Sequence, residues 1–361
     1  MNILIITYQG NVAGSTNSIC YLATGLAQRG HTVVVGLRKA SLLYKMLEDT
    51  PVIREPMIFR SRFDLKNIRH IRDVVLKYNI AIINAQSSLD RYTTIFAKWL
   101  YSLPVKIIHT RRQPPKSIGG LQNIFYRAGT DCIVVISNSL KDLFISHGIP
   151  DKHLKVIHNG IPVTRYQEWS EAAVQDLREK YHLNTGDLVI GCVSRLKRQK
   201  QIVEAVKLLN RPALKLFFVG IEKVDLQQTG VLEELQNEVI FAGTISSEEI
   251  LNVYKLFSVN ILASVTDGFG LVLLESMAMG CPVIGTDFGG IRDVVQHGKN
   301  GLLFKDNDIE ALSGNIAKIL DHPEEMKKMI ENGRETAYNT FSMDKTISGY
   351  EDFFHEIIER K

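Results

Sequence analysis

The 361 residues contain no run approaching eighteen consecutive apolar positions, so no membrane-spanning helix is expected. The first residues, Met1-Asn2-Ile3-Leu4-Ile5-Ile6-Thr7, lack a basic segment and a small-residue cleavage site. They read as a first buried strand, not as a secretion signal. Cysteine is scarce and scattered, at Cys20, Cys132, Cys192 and Cys281. With no CxxC and no Cys/His cluster, neither a disulfide framework nor a zinc site is supported, and a reducing, cytoplasmic setting fits. No GxGxxG occurs, which argues against a dinucleotide oxidoreductase, and no GxxxxGK[ST], which argues against a P-loop NTPase. Asp-x-Asp occurs only at Asp306-Asn307-Asp308, which reads as a surface turn far from the other motifs, so metal dependence is not expected. Basic motifs interleaved with aromatics are missing as well, so nucleic acid is not an expected partner.

What is present is an ordinary globular composition, 45% hydrophobic and 23% charged. The length exceeds what one core usually supports, so two domains are expected. The overall charge of +4 conceals an asymmetry. Residues 1–165 hold 22 basic and 9 acidic side chains; the remainder holds 21 and 30. A basic first half suggests an anionic acceptor, an anionic membrane surface or nucleic acid.

Short apolar runs alternate with amphipathic stretches. Strands are predicted at 3–7, 31–36, 80–85, 105–109, 132–137 and 155–158, with helices such as 15–29, 64–78 and 139–147 between them. A second array follows at 188–193, 214–220, 238–241, 259–263 and 282–285. Continuous apolar strands alternating with helices imply parallel sheets covered on both faces. The domain boundary is placed at residues 160–164, giving domains 1–164 and 165–342. Two helices are predicted at the end, 323–340 and 343–359, the second not tied to the second sheet. Ligands of doubly wound sheets bind beyond the carboxyl ends of the strands. Two such edges facing each other would make an interdomain cleft.

Five segments follow strands and carry chemistry. In Ser194-Arg195-Leu196-Lys197-Arg198-Gln199-Lys200, Arg195 and Lys200 can neutralise a diphosphate, helped by helix N–H groups; a solvated basic loop is the plainer reading. In Asp267-Gly268-Phe269-Gly270-Leu271, the glycines allow close backbone approach, and Glu275 falls one turn into the next helix. A carboxylate there suits a ribose diol, or simply favours the helix dipole. Gly289-Gly290 marks a tight connection before Ile291-Arg292-Asp293. The loop Gln9-Gly10-Asn11-Val12-Ala13-Gly14-Ser15 follows the first strand. Finally, His109-Thr110-Arg111-Arg112 stands at the end of a strand and points to the expected cleft; an isolated histidine is more often structural.

These residues resemble the retaining glycosyltransferases of family four. The match consists of Arg195 with Lys200, then Asp267-x7-Glu275 enclosing Phe269-Gly270-Leu271, Met277-Ala278-Met279-Gly280-Cys281-Pro282-Val283, Gly289-Gly290 and Asn300-Gly301-Leu302. Weaker matches are the Gly10 to Gly14 loop, Ser137-Asn138-Ser139 and His158-Asn159-Gly160-Ile161. The resemblance implies the GT-B fold, two Rossmann-like domains with a cleft, and a final helix (343–361) packing back on the first domain. It implies that Arg195 and Lys200 bind the donor diphosphate and stabilise it as it leaves. Glu275 would hold the ribose, Asp267 would contact the transferring sugar, and N–H groups at Phe269, Gly270 and Leu271 would assist. His109 would lie near sugar and acceptor. Gly10, Gly14, Arg111 and Arg112 are the candidates for acceptor binding. Retention by front-face attack is implied, with a UDP- or GDP-sugar as substrate and no other cofactor. The expected acceptor is an anionic glycolipid or saccharide of the cell envelope, with possible peripheral contact to an anionic membrane. A nucleotide-sugar epimerase or a non-catalytic nucleotide-sugar-binding protein on the same fold are the alternatives. Three positions depart from the family pattern: Asp267 replaces Glu, Gln201 replaces Gly after the lysine, and Asp293 replaces Glu.

Overall fold

The computed structural model describes residues 1–11, 14–115 and 119–360. It divides into two compact units, one formed by Met1–Gly160 with Met343–Lys361 and the other by Ile161–Ser342. The first unit holds seven strands: β1 (Asn2–Thr7), β2 (Thr32–Leu37), β3 (Ile53–Pro56), β4 (Ile82–Ala85), β5 (Lys106–Arg111), β6 (Cys132–Val135) and β7 (Leu154–Val156). Their order in the sheet is β3-β2-β1-β4-β5-β6-β7, and every pair is parallel. The second unit holds β8 (Val189–Val193), β9 (Lys215–Val219), β10 (Val239–Phe241), β11 (Val259–Leu262), β12 (Val283–Thr286) and β13 (Leu302–Phe304), ordered β10-β9-β8-β11-β12-β13 and again all parallel. Both orders reverse direction beside the first strand of the unit, which makes both sheets doubly wound.

Strands β1, β4 and β11 are buried along nearly their whole length, as expected for parallel strands sandwiched between helices. Two strands escape the sequence pattern. The edge strand β3, Ile53-Arg54-Glu55-Pro56, is polar and ends in proline, a residue edge strands tolerate. Strand β13 has only three residues.

The second unit begins at Ile161, within the segment 160–164 where the boundary was placed. The Ile161 N–H donates to the Phe341 carbonyl (2.9 Å), and the short 3-10 helix Val163–Gln167 packs against helix Leu271–Ala278. Helix Met343–Glu359 belongs to the first unit. Its Met343, Ile347, Tyr350, Phe353, Phe354 and Ile357 join the core formed by β1, β2 and helix Gly14–Gln28. Gly25 permits this packing, because a Cβ there would sit 2.2 Å from Ile347 Cδ1. Polar ties fasten the same helix: Arg29 and His31 both reach Glu351, at 2.8 and 2.7 Å.

Candidate active site

In the second unit, β8 ends at Val193 and helix Gln199–Leu209 begins six residues later. The intervening loop is fixed by one buried amide. Gln199 Nε2 donates to Ser194 Oγ (2.8 Å) and the Arg195 carbonyl (3.0 Å), while its Oε1 accepts the Lys197 N–H (2.6 Å). The Arg198 N–H donates to the Ala263 carbonyl just past β11, which fastens this loop to the next strand's end (3.2 Å). Arg195 is therefore an exposed cation on a fastened loop, and Lys200 is an exposed cation in the first turn of the helix that follows. Among the described residues Lys200 pairs with Glu204, one turn away at 3.5 Å, a surface pair worth a few tenths of a kcal/mol. Both side chains are available to an incoming anion.

Gln201, one of the departures from the family pattern, is buried. Its amide donates to Asp306 Oδ1 (2.6 Å) and Asn307 Oδ1 (3.1 Å) and accepts the Asn307 N–H. Arg198 also approaches Asp306 (3.6 Å). This corrects the expectation that Asp306-Asn307-Asp308 lies far from the other motifs. The turn abuts the basic loop, with Asp306 engaged by Gln201 and Arg198, while Asp308 caps helix Ile309–Asp321 through the Ala311 N–H.

After β11, residues 263–270 lead into helix Leu271–Ala278, whose cap Gly270 adopts φ +85°. Gly290 shows why paired glycines stand in the neighbouring loop. A Cβ on it would lie 2.0 Å from the Gly268 carbonyl oxygen and 2.8 Å from Phe269 Cα. The two loops thus touch backbone to backbone, which fixes where the N–H groups of Phe269, Gly270 and Leu271 sit. The Phe269 ring turns away into an edge contact with Phe341 (5.4 Å). Asp267 is half-buried, 3.7 Å from Lys197 Nζ, which also donates to Thr266 Oγ1 (2.7 Å). Lys197 was not singled out from the sequence; its place beside Arg195 was the available signal.

Glu275 is half-buried, and its Oε2 accepts the Tyr254 hydroxyl at 2.8 Å. Burial raises the Glu275 carboxyl pKa, opposed by the Tyr254, Arg165 and Tyr166 side chains. Burial also raises the Tyr254 hydroxyl well above its ordinary range, so it donates. Tyr254 and Tyr166 come from distant segments and carry no motif, so sequence reasoning had no handle on them. A cavity of about 430 Å³ lined by Tyr166, Gln167, Trp169, Arg334, Glu335 and Tyr338 shares only Tyr166 with these surroundings.

In the first unit, β5 runs on to Arg111, two residues further than predicted. His109 is therefore interior to the strand, wholly buried and stacked on Tyr126 (5.8 Å between centroids). It is not the edge residue that the sequence suggested. Burial, then the positive charges of Arg91 and Arg111, lowers its pKa well below the usual imidazole value, so it is neutral. Arg111 and Arg112 are half-buried at the strand's carboxyl end. Arg111 donates to Ser88 Oγ (3.3 Å) and the Gln113 carbonyl (3.1 Å), and Arg112 donates to Gln86 Oε1. Gly10 is buried against Ser41 and Leu43, so the close approach it allows is to the chain itself. Gly14 opens helix Gly14–Gln28, and Val12 and Ala13 of the same loop lie outside the described residues. Ser137, in Ser137-Asn138-Ser139, caps helix Asn138–Ser146 through the Leu140 N–H.

The family model described as "Glycosyl transferases group 1" matches residues 173–336, and the one described as "Glycosyltransferase Family 4" matches residues 12–165. The chain is a family-four glycosyltransferase. N-acetyl-alpha-D-glucosaminyl L-malate synthase of Bacillus anthracis is 24% identical to it, over 98% of this chain and 96% of that protein. A glycosyltransferase structure from Rickettsia africae ESF-5 superimposes with a TM-score of 0.88 at 23% identity, covering 100% of this chain and 99% of the other. HepE of Anabaena in complex with UDP gives 0.84 at 19% identity, covering 99% and 100%. The two doubly wound sheets of the glycosyltransferase are those of the GT-B fold. Among its described residues no helix is long and apolar enough to cross a membrane, and no three His, Cys, Asp or Glu side chains are grouped to hold a metal ion.

Proposed function

We propose that this glycosyltransferase moves a sugar from a nucleotide diphosphate donor, UDP- or GDP-linked, to an anionic acceptor of the cell envelope, with retention of configuration. The observation that carries the reading is the pair of exposed cations at the carboxyl end of β8, Arg195 on the fastened loop and Lys200 in the first turn of the next helix. Arg195 and Lys200 bind the diphosphate and stabilise its charge as it leaves. Glu275, oriented by Tyr254, takes the ribose hydroxyls. Asp267 faces the transferring sugar, and the N–H groups of Phe269, Gly270 and Leu271 supply donors. In this reading no side chain attacks the sugar, and catalysis rests on front-face attack, positioning and charge stabilisation, without a metal ion. The UDP bound by HepE supports the donor class. An anionic acceptor is supported by the basic first half and by the L-malate in the name of the Bacillus anthracis relative.

A membrane-borne acceptor is supported by the surface of the first unit. Phe63, Leu65, Trp99, Leu121 and Ile124 are exposed, and Phe63 and Trp99 pack on Phe96 at 5.1 and 6.1 Å. Arg60 and Arg62 stand next to them in the chain. An apolar and basic surface of this kind suits an anionic leaflet.

Calorimetric titration with UDP and GDP tests the assignment. Arg195→Ala and Lys200→Ala are each expected to weaken binding by about tenfold or more, the worth of a charge-assisted contact. Wild-type affinity in both variants would overturn it. Anomer analysis of the product by NMR tests retention.

A further inference from the structure

Among the described residues, sixteen buried side-chain nitrogen or oxygen atoms have no hydrogen-bond partner, and ten of them fall in the segments 84–91 and 109–112. Strands β4 and β5 are paired there, Ala85 opposite His109. Seven of the ten are N–H donors: Asn84 Nδ2, Gln86 Nε2, Arg91 Nε and both its Nη atoms, Arg111 Nε and Arg112 Nε. Two are the ring nitrogens of His109. The one acidic atom is Asp90 Oδ2.

These side chains fall into two groups. Asn84, Gln86 and Arg112 stand on the face of the sheet that holds Tyr350: Thr110 Oγ1 donates to Asn84 Oδ1 (2.8 Å) and meets the Tyr350 hydroxyl (3.2 Å), and Arg112 donates to Gln86 Oε1. On the other face, Arg91, His109 and Arg111 converge on Tyr126. The Arg91 guanidinium carbon lies 3.8 Å from its ring centroid, and 4.6 Å from that of Tyr92. His109 stacks on the same ring, and Arg111 lies within electrostatic reach of both Tyr126 and Arg91. Arg91 is wholly buried, whereas Arg111 and Arg112 are half-buried. A guanidinium out of water without an acceptor is strongly unfavourable, and π-stacking offsets only part of that penalty. The nearby carboxyl does not compensate it: Asp90 Oδ1 accepts the Tyr8 N–H instead, at 3.0 Å. The group around Tyr126 is left with four unpartnered guanidinium nitrogens, three on Arg91 and one on Arg111, beside the two ring nitrogens of His109, and with its net positive charge it matches a ligand made wholly of acceptors.

We propose that the group around Tyr126 binds the carboxylate or phosphate group of the acceptor, with Arg91 as its closed floor, His109 as its wall and Arg111 as its half-buried rim. The proposal rests on the reading that the acceptor is anionic, and it adds the residue that anchors it. Arg91 was invisible to sequence reasoning because it sits in the first turn of an ordinary amphipathic helix, Ser88–Tyr101.

The test is thermal melting of the full chain titrated with inorganic phosphate, with succinate and with chloride at constant ionic strength, alongside a UDP titration. Phosphate or succinate, but not chloride, is expected to raise the melting temperature at millimolar concentration; which of the two does so names the acceptor's anionic group. Arg91→Met is expected to weaken that effect about tenfold or more and to melt no lower than wild type when no anion is added, because it removes an uncompensated buried charge. If Arg91→Met does not fold, Arg91→Lys carries the test, since it keeps the charge but loses the planar fork. No anion-specific stabilisation, or equal stabilisation in the variant, overturns the proposal. A wild-type chain that responds to phosphate but not to UDP overturns the donor reading alone and leaves this site standing.

Discussion

Asp90 and Glu275 are both carboxylates removed from water, yet their surroundings treat them differently. Asp90 is wholly buried, and burial pushes its pKa up to about 7, against the hydrogen bonds it accepts from Ser87 and Tyr8. The folded chain then holds this proton more tightly than the unfolded one. Its contribution favours folding at acid pH, falls as pH rises from about 4 to 7 and is flat above that, an effect of about 4 kcal/mol in all. Asp90→Asn removes the titration while keeping an oxygen for the Tyr8 N–H. Urea melts from pH 5 to 8 are expected to show the variant gaining stability over wild type up to pH 7, then levelling off; a pH-independent difference would contradict this. For Glu275 the decisive neighbour is the Tyr254 hydroxyl. Tyr254→Phe leaves the carboxylate in place but loosens its orientation, so a loss of about 5- to 20-fold in UDP affinity is expected, smaller than that of Glu275→Ala. Calorimetry on the two variants checks the ranking. Glu275 was legible because it stands at a fixed spacing in a motif. Tyr254, Asp90 and Arg91 were not, because their importance arises from neighbours far along the chain.

At the scale of elements, the two glycine loops after β11 and β12 act as one piece. Gly290→Ala must displace the backbone of Gly268 and Phe269, since no flexible side chain is there to yield. A destabilisation of about 1–3 kcal/mol is expected, together with at least about tenfold weaker UDP binding. Gly314, in the middle of helix Ile309–Asp321, faces open space, so Gly314→Ala is expected to raise stability by about 0.5–1 kcal/mol with UDP binding unchanged. Denaturant melts and UDP titrations on both variants distinguish a packed glycine from a merely tolerated one. The sequence showed that glycines stood at both loops; it did not show that the loops meet. Gln201 is a similar case. It departs from the family pattern, and only its bonds to Asp306 and Asn307 reveal that it ties helix Gln199–Leu209 to the turn after β13.

For the molecule as a whole, the last helix is a structural part of the unit that contains the first strand. Deleting residues 343–361 would remove six buried apolar side chains, from Met343 to Ile357, each worth roughly 1.5–3 kcal/mol, and bare the core they cover. Their sum is comparable to the whole stability of a typical domain, about 5–15 kcal/mol. The truncated chain is expected to lose its cooperative melt, as followed by near-ultraviolet circular dichroism. A sharp wild-type transition would show that the helix is dispensable.

The sequence by itself determined the two parallel-sheet units, because fully buried strands write themselves as continuous apolar runs and the helices between them as periodic ones. It also determined which strand ends carry cations, carboxylates and glycines. Tertiary structure alone decided that β5 runs on past His109 and buries it, that Asp306 abuts the basic loop and that Arg91 lies under the ring of Tyr126. Burial and pairing are set by what packs from other segments, and no local pattern encodes a neighbour thirty or a hundred residues away.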